Sequence, residues 1–160
     1  MRMTKATQIA WFEGAVGLAM ILGALGFQYI GHYPPCEMCH WQRWPHIAAA
    51  VIGLGGMILV RAGVLPARAA FVLAALATLC IAITGGLGVF HAGVEWHLWQ
   101  GPTACTTGFR FTGGPLDLNA PVPQCDHAAW RMFGISMAGY NAVISLGAAA
   151  IGAFFLARKP

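Results

Sequence analysis

Four long apolar stretches are the feature that most constrains how this chain can fold. A helix that crosses the hydrocarbon core of a bilayer needs about 20 mainly apolar residues, and its backbone polar groups must pair within the segment. Charged residues make up only 9% of the 160 residues, against roughly one quarter in soluble domains. We therefore predict an all-α membrane protein, a four-transmembrane-helix bundle that forms one domain over residues 1–160. The predicted spans lie at about 9–30, 40–60, 69–90 and 132–156.

The basic residues predict how the bundle is oriented. Six of the nine Lys and Arg residues precede the first span, lie between the second and third, or follow the fourth. Because Lys and Arg near span ends stay cytoplasmic, we predict that both termini are cytoplasmic. The other side then has a short first outer loop, about 31–43, and a long second one, about 91–131. The six residues are Arg2, Lys5, Arg61, Arg68, Arg158 and Lys159.

The net charge and the first span could each suggest another interpretation, a nucleic-acid-binding protein or a cleaved signal peptide. The formal net charge of +4 comes from scattered residues without a basic run, so we expect no nucleic-acid partner. The basic start and apolar first span resemble a signal peptide. We expect the span to be retained, because its apolar core is long and its removal would break the even number of spans.

Four of the five cysteines fall in the two outer segments. Cys36 and Cys39 form a C-x-x-C at the outer end of the second span, and Cys105 and Cys125 lie in the long loop. Disulfides persist where that side is an oxidising compartment such as a periplasm. The close spacing favours Cys36–Cys39 and Cys105–Cys125, although the sequence alone allows three pairings. Cys80, in the third span, is expected to pack as a small apolar residue.

The C-x-x-C segment has the features of a redox-active thiol pair. If the second helix starts near Cys39, its amide dipoles stabilise a thiolate there. Arg43, one turn further on, would add a permanent positive charge. Pro45 disfavours helix at the preceding residue, so the helix is expected either to kink at Pro45 or to begin there. Two dithiols at one membrane face indicate an electron relay.

The segment Cys36-Glu-Met-Cys39-His-Trp-Gln-Arg43-Trp-Pro resembles the motif of the DsbB family, the disulfide bond formation protein B of bacterial inner membranes. The four-span layout and the second cysteine pair in a long outer loop are also similar, so the resemblance covers nearly the whole chain. Relatives of vitamin K epoxide reductase place their loop cysteines before the C-x-x-C, whereas here they follow it.

The resemblance implies a quinone-dependent thiol oxidase that reoxidises a DsbA-like thioredoxin-fold protein. The enzyme would sit in the lipid bilayer of the bacterial inner membrane, with its active site on the periplasmic face. Cys105 would be attacked by the partner's thiolate, with Cys125 as its bonded mate. Electrons would then pass to Cys36–Cys39, with a transient Cys36–Cys125 bridge as one route. Cys39 would face ubiquinone or menaquinone, and Arg43 would stabilise negative charge beside it.

Further expectations concern polar and small residues. The family has polar residues near the outer end of the third span, so the resemblance also implies that His91 and Glu95 lie near the quinone. Glu13 is expected to reach the cytoplasmic interface, because a charge deep in a span is costly. A brief amphipathic segment is expected around 109–118. The other histidines are expected to be solvated: His32, His40, His46, His97 and His127. Six glycines are expected to let helices approach closely: Gly14, Gly17, Gly23, Gly26, Gly147 and Gly152.

Three alternatives use the same residues. Cys36-Glu-Met-Cys39-His40 also matches the c-type haem attachment signature, which would make the chain a membrane-anchored cytochrome but would leave Arg43 and the loop cysteines unexplained. A zinc site on Cys36, Cys39 and two histidines would need both thiols reduced, and no metal is predicted. In the plainest alternative, the disulfides only staple the loops.

Overall fold

The computed structural model describes residues 4–106 and 124–158, and this part of the chain is mainly helical. Four helices are long and apolar enough to cross a membrane, which confirms the predicted fold class. A short helix precedes residue 107, and two short strands form an antiparallel hairpin. In chain order the elements are α1 (Lys5–Tyr29), α2 (Glu37–Arg61, with a π-helical turn at Val51–Gly55), α3 (Ala69–Glu95), α4 (Thr103–Thr106), β1 (Arg131–Met132), β2 (Ile135–Ser136) and α5 (Met137–Ala157).

The long helices alternate in direction, so the bundle has two distinct ends. At the end that we call the cysteine end, buried residues from the start of α2, the end of α3, α4 and the segment before β1 pack together: Cys36, Met38, Val94, Cys105 and Cys125. At the opposite end, which we call the terminal end, the start of α1 packs with the end of α5: Ile9, Met57, Ala70 and Leu156 are in contact. The cytoplasmic placement of the terminal end, the loop lengths and the single-domain organisation stay predictions.

Several sequence-based expectations fall outside the part of the chain that the structure describes. They are the basic residues Arg2 and Lys159 and the amphipathic segment expected around 109–118. Cys80 of α3 is half-buried against the apolar cluster of Ala49, Ile81, Ala148 and Ala149, as expected for a small apolar residue.

Helix α2 begins at Glu37, so Pro45 lies inside it and the expected alternative of a start at Pro45 is wrong. The start is fixed by Cys36, whose Sγ accepts the backbone N–H of Cys39 at 3.2 Å. A proline inside a helix removes one backbone donor. Thr84 Oγ1 of α3 donates to the backbone oxygen of Gln42 at 3.0 Å, which links α3 to α2 beside Pro45.

Glycines join α1 and α2 closely toward the terminal end but not toward the cysteine end. A Cβ added at Gly53 would lie 2.5 Å from the backbone oxygen of Ala10, and one at Gly17 would lie 2.6 Å from that of His46. The expectation of close approach is confirmed for Gly14, Gly17 and Gly152. Among the described residues it is wrong for Gly23, Gly26 and Gly147, where an added Cβ would meet no described atom within 4 Å.

Glu13 does not reach the interface, contrary to the expectation, because its side chain is fully buried inside the bundle. Thr78 Oγ1 donates to its Oε1 at 3.4 Å, and its Oε2 has no hydrogen-bond partner within residues 4–106 and 124–158. A Cβ at Gly152 would collide with Oε1. Because Gly152 of α5 has no side chain, there is space in the bundle for the Glu13 carboxyl group.

Candidate active site

Four sulfur atoms lie together at the cysteine end of the bundle. The Sγ atoms of Cys36 and Cys39 are 2.7 Å apart and are not bonded, whereas Cys105 and Cys125 form a disulfide. The Cys36 sulfur lies within 4.8 Å of both sulfurs of that disulfide. The Cys105–Cys125 pairing that the spacing favoured is therefore present. The Cys36–Cys39 bond that it also favoured is absent, although the two sulfurs are in contact. The two cysteine pairs are thus direct neighbours in the bundle.

Backbone hydrogen bonds link the segments that carry the loop disulfide, which packs against the start of α2. The N–H of Cys105 donates to the oxygen of Pro102 at 3.0 Å, and the N–H of Cys125 donates to the oxygen of Cys105 at 3.0 Å. Both cysteines are buried, with exposed fractions of 6% and 0%. A soluble protein can therefore reach Cys105 only if this segment moves.

Helix α2 starts near Cys39, as the sequence analysis considered, and Cys36 occupies its N-terminal cap. Cys39 lies in the first turn, one turn before Arg43. The hydrogen bond with the Cys39 sulfur and, after it, burial raise the pKa of the Cys36 thiol above its usual range. The raised pKa favours the protonated thiol at Cys36.

A cavity of about 660 Å³ lies beside Cys39, between α1, α2, α3 and α5. This volume is within the range of roughly 300–1,000 Å³ that small-molecule sites occupy. Its polar end is formed by Cys39, Arg43, His91 and Glu95, and its apolar walls include Ile21, Phe27 and Ile144. The cavity can therefore take a ligand with a polar ring and an apolar remainder.

Arg43 offers an unused hydrogen-bond donor at this cavity. Its Nη1 donates to Gln28 Oε1 of α1 at 2.7 Å. Its Nε is buried and has no partner in the described part of the chain. Because an unpaired buried donor costs free energy, a carbonyl or anionic oxygen in the cavity would stabilise this side chain. The donor set and the apolar walls together fit a quinone headgroup and its tail.

His91 and Glu95 are buried one turn apart at the end of α3, and both line the cavity. His91 Nε2 lies 3.7 Å from the Cys36 sulfur and 3.8 Å from Glu95 Oε1. The structure thus brings to the cysteines both residues that the resemblance indicated, and their role stays a prediction.

The sequence analysis missed a cluster of polar side chains that continues from His91 into the bundle. Asn141 of α5 donates from Nδ2 to Gln42 Oε1 at 2.6 Å, and its Oδ1 lies 2.9 Å from His46 Nε2. His46 is buried, so the expectation that it is solvated is wrong. An available signal was the amide of Asn141 within an apolar span, because polar groups inside membranes are rare and usually functional. The expectation is confirmed for the exposed histidines His32, His40, His97 and His127.

The metal and haem alternatives find incomplete support in this geometry. The ligand atoms of Cys36, Cys39 and His91 lie within 4.8 Å of one another. Among the described residues this cluster contains one histidine, whereas the zinc alternative needs two. His40, which the haem alternative requires beside the thiols, is exposed and does not line the cavity.

Comparison with known proteins gives a family match over nearly the whole chain. The family model of the disulfide bond formation protein DsbB matches residues 6–155. Disulfide bond formation protein B of Dechloromonas aromatica (strain RCB) is 26% identical over 98% of this chain and 96% of its own length. The uncharacterized protein RP370 of Rickettsia prowazekii (strain Madrid E) is 25% identical over 74% of this chain and 69% of its own. No solved structure gives a significant match.

Proposed function

Because the chain belongs to the DsbB family, we propose that this multi-pass membrane protein is a dithiol:quinone oxidoreductase. Family membership implies disulfide oxidoreductase activity. The finer proposal is that the enzyme reoxidises a DsbA-like thioredoxin-fold protein and passes the electrons to ubiquinone or menaquinone. Its site would face the periplasm from the bacterial inner membrane.

The observation that carries this proposal is the position of the Cys36 sulfur, within 4.8 Å of both Cys105 and Cys125 sulfurs. A thiolate of the reduced partner attacks Cys105, which forms a mixed disulfide and frees the Cys125 thiolate. Cys125 then attacks Cys36 in the oxidised Cys36–Cys39 pair, so that a Cys36–Cys125 bond forms and Cys39 leaves as a thiolate. Each exchange breaks one S–S bond and forms another.

Two further exchanges complete the transfer of an electron pair. The partner's second thiolate attacks its own sulfur in the mixed disulfide, so the partner leaves oxidised and Cys105 leaves as a thiolate. Cys105 attacks Cys125, which restores Cys105–Cys125 and frees the Cys36 thiolate. The outcome is a bonded loop pair beside an unbonded Cys36 and Cys39, the same bonding pattern as in the described structure.

The chain's own residues prepare the site where the electron pair leaves. A bound quinone would supply the two-electron, two-proton acceptor that returns Cys36–Cys39 to the disulfide. Cys39 and Arg43 would hold its polar ring, and the apolar walls of the cavity would exclude water. An electrostatic contribution of about 1.4 kcal/mol from Arg43 would change the potential of a two-electron couple by about 30 mV, enough to influence the direction of electron flow.

The test is to mix purified protein with a reduced thioredoxin-fold dithiol protein and ubiquinone, and to follow quinone absorbance and cysteine alkylation together. We expect Cys105→Ser to block turnover with the protein dithiol while Cys36–Cys39 stays oxidised. Cys80→Ser is the matched control, because Cys80 lies outside the sulfur cluster, and it should retain activity. Undiminished turnover in Cys105→Ser would favour disulfides that only staple the loops. A covalently bound haem absorbance after denaturation would favour the cytochrome alternative.

A further inference from the structure

The hydrogen bonds around Gln42 fix which way its side-chain amide points. One amide atom lies 3.1 Å from the backbone oxygen of Met38. A backbone oxygen only accepts, so this atom must be the NH2 nitrogen. The other amide atom lies 2.6 Å from Nδ2 of Asn141 and must therefore be an acceptor. These two contacts come from different helices, and both require the same orientation.

Asn141 is itself held in one orientation. Its Nδ2 lies 3.1 Å from the backbone oxygen of Thr84, which again only accepts. Its Oδ1 accepts from Ser145 Oγ at 2.8 Å. The donor that Asn141 presents to Gln42 is thus determined by the backbone of α3, and α5 transmits this constraint to α2.

The orientation of Gln42 in turn determines where His91 can carry its proton. The Gln42 nitrogen lies 2.8 Å from Nδ1 of His91. A proton on Nδ1 would point at another donor, so Nδ1 must accept and the ring proton must reside on Nε2. The groups that face Nε2 agree, because the Cys36 sulfur and the Glu95 carboxyl oxygen can both accept.

We propose that Gln42 and Asn141 are positioning residues that hold His91 as the Nε2–H tautomer, so that its ring donates a hydrogen bond to the Cys36 sulfur. The His91 ring then does not serve as a base for the Cys36 thiol. When Cys105 attacks Cys125 and the Cys36–Cys125 bond breaks, the electron pair of that bond goes to Cys36. The Nε2–H group stabilises the departing thiolate, and no proton is transferred in this step.

The tautomer itself does not depend on the proposed function, whereas its catalytic consequence rests on it. The experiment uses the purified full chain, with histidine rings labelled with ¹⁵N and the thiols kept reduced. Ring ¹⁵N chemical shifts distinguish a protonated from an unprotonated nitrogen at each histidine. The buried rings are assigned by comparison with His91→Gln and His46→Gln. We expect His91 to carry its proton on Nε2 alone. A proton on Nδ1, alone or together with Nε2, overturns the proposal in the unmodified chain.

Variants of the network test what holds the tautomer. Gln42→Leu removes the donor to Nδ1 at similar volume. We expect a second His91 tautomer and an about fivefold fall in kcat, which corresponds to about 1 kcal/mol, with an unchanged KM for quinone. Cys80→Ser is the control, because Cys80 lies on α3 among apolar residues and outside this hydrogen-bond network. It should preserve the tautomer and kcat.

The remaining outcomes separate the two proposals. If Gln42→Leu does not fold, Asn141→Leu serves instead, since it removes one of the two contacts that orient Gln42 and should also yield a second tautomer. An unchanged single tautomer in the folded variants would show that the network does not position His91. If His91 carries its proton on Nε2 but the protein reduces no quinone, the proposed function is wrong and the assigned tautomer stands. If the protein reduces quinone but His91 carries a proton on Nδ1, the positioning role of Gln42 and Asn141 is wrong and the proposed function stands.

Discussion

The two halves of α1 contain the same kind of residue and use it in opposite ways. Toward the terminal end, Gly14 and Gly17 lie against the backbone of α2, where an added Cβ would come within 2.7 Å and 2.6 Å of α2 backbone atoms. Toward the cysteine end, an added Cβ at Gly23 or Gly26 would meet no atom of the described residues within 4 Å. We call these the closed half and the open half of the bundle.

The polar groups differ between the halves in the same way. In the closed half, Glu13 is buried with one donor, from Thr78, and one oxygen without a partner among the described residues. In the open half, Gln42 and Asn141 join three helices by hydrogen bonds, and Arg43 Nε at the cavity has no partner within residues 4–106 and 124–158. Close backbone contact thus stabilises one half, while the other keeps space and unused polar atoms for a ligand.

The largest expected effect lies in the closed half. Gly53→Leu would place side-chain atoms where the backbones of Ala10 and Gly14 already lie, with an added Cβ 2.5 Å and 2.8 Å from their nearest atoms. We expect a loss of about 3 kcal/mol or more in the free energy of unfolding, because backbone cannot move aside as a side chain can. Thermal unfolding in detergent measures it. Gly26→Leu is the control and should have the same free energy of unfolding as the unmodified chain. Equal destabilisation of both variants would show that the two halves do not differ in how closely their helices pack.

Arg43→Ala should produce the largest functional effect in the open half. Loss of a charge-assisted hydrogen bond of about 1.5–3 kcal/mol predicts a rise in the KM for quinone of about 10- to 100-fold. The KM for the protein dithiol should change little. Arg61→Ala, at the other end of α2 and stacked 5.2 Å over the Trp11 ring, is the matched control. An unaltered quinone dependence in steady-state kinetics would remove the role assigned to Arg43.

A smaller effect is expected from filling the cavity. In the described part of the chain, Gly23 lines the cavity and Gly26 does not, although neither position has a described neighbour within 4 Å of an added Cβ. Gly23→Leu should raise the KM for quinone about fivefold, or about 1 kcal/mol, without loss of thermal stability. Gly26→Leu should leave both unchanged. Identical kinetics in the two variants would show that the ligand does not occupy the space beside α1.

The smallest expected effect tests whether the closed half is only structural. Glu13→Gln keeps the shape of the side chain and removes a buried acidic group with incomplete hydrogen bonding. We expect the free energy of unfolding to rise by up to about 1 kcal/mol, as measured by thermal unfolding, and kcat to stay the same. Thr78→Val, which removes the donor to Glu13, should lower stability instead. A tenfold fall in kcat for Glu13→Gln would mean that the closed half takes part in the reaction.

The sequence predicted the fold class and a site containing four cysteines, because both depend on local patterns. The length of an apolar run predicts a membrane span, and the C-x-x-C with Arg43 is read within a single segment. The same reasoning placed Glu13 at an interface and His46 in water, and both were wrong. Each of these side chains is buried by residues of helices other than its own. Its environment therefore could not be predicted from the sequence of its own segment.

What the sequence alone determined was the number of spans and the presence of two cysteine pairs, since hydropathy and spacing are properties of contiguous residues. Only the tertiary structure decided which glycines touch another helix and which border the cavity. It also decided that Gln42, His91 and Asn141 meet, although 49 residues separate the first two and 99 separate Gln42 from Asn141. The physical reason is that hydrogen bonds and close packing depend on atoms within a few ångströms, and helix packing brings those atoms together independently of their distance along the chain.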